Sequence, residues 1–210
     1  MLKVLSTYLF KKSITVNDIL NMKKIGFNYI EISQYHKDLS LIINLLNKNN
    51  IKIYSLHSDM KDISSIDGEK RKKYIIGAKK EVDRLVNLNG RVLIIHPGYA
   101  FSNKNERPKR IKNCIDSLKE IVGYALKRKI KIAVENLVWS WDENIIGDNI
   151  SELDYIFKSV RKEGYNNVGI CLDTGHAFLK GNLISYVDYF KEDIIHIHID
   201  DNYGRKNGKK

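Results

Sequence analysis

Short apolar runs recur along the chain, most of them ending on or just before a polar residue, and longer amphipathic segments fill the intervals between them. The runs cover residues 2–6, 29–32, 51–56, 92–95, 131–134, 168–172 and 194–199. Their Ile and Val content suits β-strands. In the intervals, apolar residues return every three or four positions, the spacing of one helix face. The clearest case is 107–127, with Ile111, Ile115, Leu118, Val122 and Ala125 in phase and Pro108 placed for a first turn. A second helix is expected over 69–88, with Ile75, Ile76, Val82, Leu85 and Val86 as its apolar positions. Segments 16–24, 40–47 and 151–161 fill other crossovers, and Asn149 and Ser151 both suit the N-cap of the last. Strands alternating with helices predict an α/β fold with a parallel sheet.

Side chains two apart on a strand share a face. On that rule Ile51, Ile53, Ser55 and His57 form one set, and Val92, Ile94 and His96 a second. Lys131, Ala133 and Glu135 form a third, and Gly169, Cys171 and Asp173 a fourth. The opposite faces carry Tyr54 and Leu56, Leu93 and Ile95, Ile132 and Val134, and Ile170 and Leu172. Large apolar residues would face a layer of helices, and each polar terminus would face a lumen. This is the pattern of a TIM (β/α)8-type barrel, whose active sites gather at the C-terminal strand ends. Seven strands are one fewer than the fold needs. The expectation is therefore a single barrel domain over 1–210 that is truncated after the seventh strand and lacks its last βα unit.

The polar termini supply the candidate chemistry. His57, His96, Glu135, Asp173 with His176, and His198 would converge on one rim, and His, Asp and Glu are common ligands of divalent metals. Glu135 stands out, because a carboxylate on an apolar, lumen-facing strand is costly unless compensated. Asp173 and His176 lie three apart across a strand end and a turn, where Gly175 permits a tight path. The plainer alternative for this pair is an Asp capping the next helix with a His packed nearby. His57 alone is a weak signal, whereas Pro97 and Gly98 turn the chain sharply after His96. His196 shares the lumen face with His198 but lies deeper and reads as a satisfied core residue. Glu31 would face the lumen on the second strand, and His36 reads as surface. Trp139 and Trp141 follow Glu135 and could wall a substrate pocket or pack on the rim.

Composition narrows the function classes. A hydrophobic share of 43% and a charged share of 29% suit a soluble globular protein. No apolar run approaches membrane-spanning length, and the N-terminus lacks the pattern of a secretory signal, so no membrane partner is expected and the expected localisation is cytoplasmic. Cys114 and Cys171 are too few for a disulfide framework. The net charge of +11 is spread along the chain, apart from Lys70–Lys73, the basic run from Arg107 to Lys112, and the Lys-rich end after Arg205. Solvated faces explain it more simply than a nucleic-acid partner. No Ser–His–Asp pattern, P-loop or GxGxxG is present.

Taken in order, LHSDM, LIIHPGY, IAVENL, VGICLDTGHAFLKGN and IIHIHIDDNYG make the chain resemble the xylose isomerase-like TIM barrels over nearly its whole length. That superfamily includes sugar phosphate isomerases and epimerases and the AP endonucleases of family 2. The resemblance implies a divalent metal cofactor (Mn2+, Zn2+, Mg2+ or Co2+). In the epimerase design the ligands would be Glu135, Asp173 and His198, with a further Glu absent from this sequence. In the endonuclease design His57, His96 and Glu135 would match a first metal, Glu135, Asp173 and His198 most of a second, and His176 part of a third. The start LKVLSTYLF lacks the glycine- and histidine-bearing beginning of the endonucleases, and the segment 62–90 looks more like the isomerase-like members. The favoured expectation is a sugar or sugar-phosphate isomerase or epimerase. Glu135, or the absent carboxylate opposite it, would be the catalytic carboxylate, and His176 would serve in catalysis and substrate binding beside Trp139 and Trp141. The alternatives are zinc-dependent cleavage of abasic DNA and a non-catalytic truncated barrel. The partner would be a small sugar, or DNA under the second reading, and a homo-oligomer is compatible with either.

Overall fold

A computed structural model describes residues 2–10, 14–35, 40–59, 62–138 and 144–200. Among these residues seven strands form one sheet in which every neighbouring pair is parallel and the order follows the sequence. They are β1 (Leu5–Ser6), β2 (Tyr29–Ile32), β3 (Lys52–His57), β4 (Val92–Ile95), β5 (Lys131–Glu135), β6 (Val168–Asp173) and β7 (Ile194–His198). The helices are α1 (Val16–Lys24), α2 (Ser40–Lys48), α3 (Gly68–Asn87), α4 (Arg107–Leu126), α5 (Ile150–Arg161), α6 (Thr174–Leu179) and α7 (Leu183–Phe190). The sheet is strongly curled. Strands β2 and β7 are five steps apart, which on a flat sheet would be about 24 Å, yet Glu31 and His198 hydrogen-bond across the lumen at 3.0 Å. This is the architecture of a TIM-type barrel.

The helix boundaries follow local chemistry. Thr15 and Asp18 close a reciprocal capping box at α1. Asp67 caps α3 through the backbone N–H groups of Glu69 and Lys70. Of the two candidate caps for α5, Asn149 is used, accepting from the Glu152 N–H. Helices α6 and α7 were not anticipated, because the segment after Asp173 is short and its apolar residues are spread over two brief helices. At the other end, β1 is shorter than its apolar run, with residues 2–4 outside the strand.

The apolar core lies between sheet and helices. Leu93, Ile95, Ile132, Val134, Ile170 and Leu172 point outward and are buried with Val82, Leu85, Leu118, Ile121, Val122, Ile156 and Val160. Each large side chain so buried contributes roughly 1.5–3 kcal/mol. A smaller cluster of Val92, Ile94, Ala133 and Cys171 fills the lumen, with Tyr54 and Ile195 packed on it.

Alternation holds on β4, β5 and β6 but fails within β3. Ile51 and Ile53, expected in the lumen, join the helix-side core, and Tyr54, expected among the helices, packs on the lumen cluster. The reason is a register shift: Ile30 pairs with Ile53, but Glu31 pairs with Ser55, so Tyr54 is an extra residue. A bulge of this kind resets the face of everything after it, and Ser55 and His57 reach the lumen as expected. Strand β7 carries a matching irregularity at Ile195, between the pairs Ile170–Ile194 and Cys171–His196.

Candidate metal centre

The strands β3, β5 and β6 each run one residue further than their apolar pattern, so that His57, Glu135 and Asp173 are the last strand residues. Each polar side chain is thus held by the sheet rather than by a loop. Glu135 is the hub. Its Oε2 lies 3.1 Å from His57 Nε2 and 3.0 Å from His96 Nε2. Its Oε1 lies 3.1 Å from His198 Nδ1 and 3.9 Å from His176 Nδ1. The carboxylate is 2% exposed, so all of this happens out of bulk water.

Asp173 does two things at once. Its Oδ1 accepts from the His176 N–H and caps α6, which realises the plainer reading of this pair. Its Oδ2 lies 3.6 Å from His176 Nδ1 and 3.9 Å from His198 Nδ1, within the same cluster as Glu135. Asn136, to which the sequence reading gave no role, fixes this geometry. Its side chain accepts from the Asp173 N–H at 2.7 Å and donates to the Asp173 carbonyl at 3.1 Å, and so clamps the end of β5 to the end of β6. The same residue's carbonyl accepts from His176 Nδ1 at 2.9 Å.

Those backbone bonds decide tautomers. A carbonyl can only accept, so His176 carries its proton on Nδ1 and offers Nε2 as a lone pair. His57 is held likewise, with Nδ1 donating to the Ser58 carbonyl at 3.1 Å and Nε2 turned to Glu135. An outer hydrogen bond that fixes which nitrogen is free is the usual support of a metal-ligating histidine.

The electrostatics agree. Burial alone would raise the Glu135 carboxyl, but hydrogen bonds from His198, His57 and His96 hold it well below the usual carboxylate range. Burial opposes charge on His57 and on His198, yet both are raised, His57 by Glu135 and His198 first by the buried Cys171 beside it and then by Glu135 and Glu31. His96 goes the other way, because burial there outweighs Glu135. Asp173 is pushed up to about 6 by burial and by the nearby Glu135 charge. Protons on imidazoles here supply the positive charge that buried carboxylates require. Imidazole nitrogens and carboxylate oxygens are also the donor set of zinc and similar cations. Ligand-capable atoms of His57, His96 and Glu135 lie within 4.8 Å of one another, as do those of Glu135, Asp173 and His176. The residues present fit a divalent cation.

Glu31 is a second hub and proved more central than its sequence suggested. It is buried on β2, receives Ser55 Oγ and His196 Nε2 on Oε2, and receives His198 Nε2 on Oε1. The signal was available: YIEI is an apolar strand with one lumen-facing carboxylate, the same logic that singled out Glu135. His196 is a satisfied interior residue, as expected. Trp139, Trp141 and His36 lie outside the described residues. Beside His57 opens a cleft of about 120 Å³ lined by Ser33, Gln34, Leu56, Asp59, Glu81 and Arg84. Among the described residues no helix is long and apolar enough to cross a membrane.

Comparison with known proteins places this geometry. Among curated proteins, an uncharacterized protein of Methanocaldococcus jannaschii, MJ1311, is 27% identical over 174 residues, covering 80% of this chain and 57% of its own length. A probable endonuclease 4 of Mycoplasmopsis pulmonis is 25% identical over 175 residues, covering 83% and 58%. The chain thus spans little more than half the length of these relatives. Among solved structures, a D-tagatose 3-epimerase-like protein superposes with a TM-score of 0.81 at 24% identity, covering 98% of this chain and 78% of that one. The IOLI protein with a bound zinc atom superposes at 0.79 and 20% identity, covering 97% and 75%. At these identities the solved structures establish the fold. The family described as xylose isomerase-like TIM barrel matches residues 19–210, and the chain belongs to that family.

Proposed function

We propose that the rim cluster is the metal centre of a divalent-cation-dependent sugar or sugar-phosphate isomerase or epimerase. The observation that carries this reading is the buried Glu135 carboxylate, ringed by His57, His96 and His198 at 3.0–3.1 Å with Asp173 beside it. A bound divalent cation there would supply Lewis-acid polarisation of a substrate carbonyl and its neighbouring hydroxyl. Glu135, Asp173 and His198 would hold it, with His57 and His96 completing the lining. The imidazoles around Glu135 keep it ionised in the free protein, and engaging them with a cation would free that carboxylate to take the proton next to the carbonyl. His176, with Nδ1 committed to the Asn136 carbonyl, has only Nε2 left to orient a substrate oxygen. Burial of the donors suits a small substrate. The basic run from Arg107 to Lys112 is largely matched internally, Arg107 with Asp148 and Glu152, Arg110 with Asp62 and Glu106, and Lys112 with Asp116, whereas in the other stretch Lys70 pairs with Asp67 and Arg71 donates to the Ser65 carbonyl.

The test is exchange of the substrate carbon-bound proton with deuterated solvent, measured by NMR over a panel of ketoses and their phosphates with added Mn2+ or Zn2+. Exchange that disappears in Glu135→Gln supports the assignment, and exchange retained in that variant sinks it.

A second reading has its own observation. His57, His96 and Glu135 form a compact donor cluster of their own, and several relatives are named as probable endonuclease 4. Under that reading the chain's site would cleave phosphodiesters at abasic positions. It predicts chelator-sensitive nicking of abasic duplex DNA, with binding that weakens steeply as salt rises.

A further inference from the structure

The lumen holds a second buried carboxylate that the proposed reaction does not use. Glu31 lies 3% exposed on β2, on the far side of the lumen from β7. Its two oxygens accept three hydrogen bonds, from Ser55 Oγ at 2.8 Å, His196 Nε2 at 2.9 Å and His198 Nε2 at 3.0 Å. A carboxylate so occupied has little freedom to rotate. The His198 ring is therefore pinned at one nitrogen by Glu31 and faces the Glu135 cluster with the other. Its Nδ1 lies 3.1 Å from Glu135 Oε1 and 3.9 Å from Asp173 Oδ2.

We propose that Glu31 is the positioning residue of the cation site: it holds one proton of His198 on Nε2, so that the proton shared between Nδ1 and Glu135 is the one a cation displaces, and it keeps Nδ1 aimed at the space shared with Glu135 and Asp173. This rests on the reading of that space as a cation site and adds the device that selects the ligating nitrogen. An imidazole offers two nitrogens of similar basicity, and an outer carboxylate bonded to one of them leaves the other as the donor and increases its basicity. The need is greatest at His198, because β7 carries the irregularity at Ile195 and its ring must reach back across the lumen. Ser55 and His196 act on Glu31 itself and keep its Oε2 engaged, so that Oε1 stays directed at His198.

The test compares wild type with Glu31→Gln and Ser55→Ala. Zn2+ affinity is read by competition with a chromophoric chelator, histidine tautomers by nitrogen-15 NMR of the zinc-loaded protein, and folding by circular dichroism. Outer carboxylates of this kind typically contribute 10–100-fold in metal affinity. Glu31→Gln should lose that factor and shift the resonance of the His198 Nε2–H, while Ser55→Ala should lose a smaller factor in the same direction. If Glu31→Gln does not fold, Ser55→Ala decides, and unchanged affinity in it overturns the proposal. A folded Glu31→Gln with wild-type affinity and an unmoved Nε2–H resonance overturns it while leaving the cation site standing. Loss of a second zinc with the first unaffected also overturns it, because Glu31 would then be a ligand. Wild type that binds no zinc at all overturns both readings together.

Discussion

The Nδ1 of His198 on β7 stands 3.1 Å from Oε1 of Glu135 on β5, two strands away, and neither group is more than 15% exposed. This contact joins the last described strand to the centre of the donor cluster. Removing the carboxylate should leave the surrounding imidazoles with no common partner. Elemental mass spectrometry of the purified protein should find about one divalent ion per chain, falling to background in Glu135→Ala. Two or three zinc ions per chain would instead favour the endonuclease reading.

Cation affinity should rise with pH. His57 and His198 both hold their protons above the ordinary imidazole range, because Glu135 outweighs burial at His57, and Cys171 together with Glu135 and Glu31 outweighs it at His198. A cation must displace those protons, so binding should be weak near pH 6 and tighten steadily through pH 8. Calorimetry in two buffers of different ionisation enthalpy should find about one to two protons released per ion at neutral pH. Binding that is flat over this range would refute the competition.

Glu81 on α3 predicts a separate pH effect. Burial pushes its carboxyl up to about 7, against the hydrogen bond from Ser58, and the Asp59 side chain adds to the rise. The folded chain thus prefers Glu81 protonated, whereas the unfolded chain ionises it at the ordinary value near 4.5. Its contribution to stability is greatest at low pH, is lost as pH climbs from about 4.5 to about 7, and stays lost above that. Glu81→Gln should flatten this part of the profile and stabilise the chain by about 1–2 kcal/mol at pH 8, measured by urea unfolding at several pH values.

Gly169 sits where β6 meets the irregularity of β7. A Cβ there would come within 2.7 Å of Ile195 Cγ2 and 2.8 Å of the Asp193 carbonyl oxygen. The second contact is backbone and cannot move alone, because that carbonyl also accepts the Ile170 N–H. Gly169→Ala should therefore cost about 1–3 kcal/mol, with Zn2+ affinity falling as well, since His196 and His198 follow the displaced segment. A melting temperature and zinc affinity equal to wild type would show that β7 adapts freely.

Much of the fold can be read along the chain because its causes are local. Period-two and period-three-to-four patterns located β2 and β4 to the residue and α1, α3, α4 and α5 within one or two. The same alternation put Val92, Ile94, Ala133 and Cys171 in the lumen and the large aliphatics outside. That His57, His96, Glu135, Asp173, His176 and His198 would gather at one rim was legible for a related reason. Polar residues closing apolar strands are costly unless something compensates them, so their positions carry information without any coordinates.

What tertiary structure decided is everything that depends on two strands at once. The bulge at Tyr54 exists only in the pairing of β2 with β3, so strict alternation misplaced Ile51, Ile53 and Tyr54. The clamp of Asn136 on Asp173 joins residues 37 positions apart. The bond from His198 to Glu31 spans 167 positions and requires the curl of the whole sheet. Side-chain chemistry and strand phase are written in the sequence. Which nitrogen faces which oxygen is set by register, bulges and closure, which are properties of the assembled sheet.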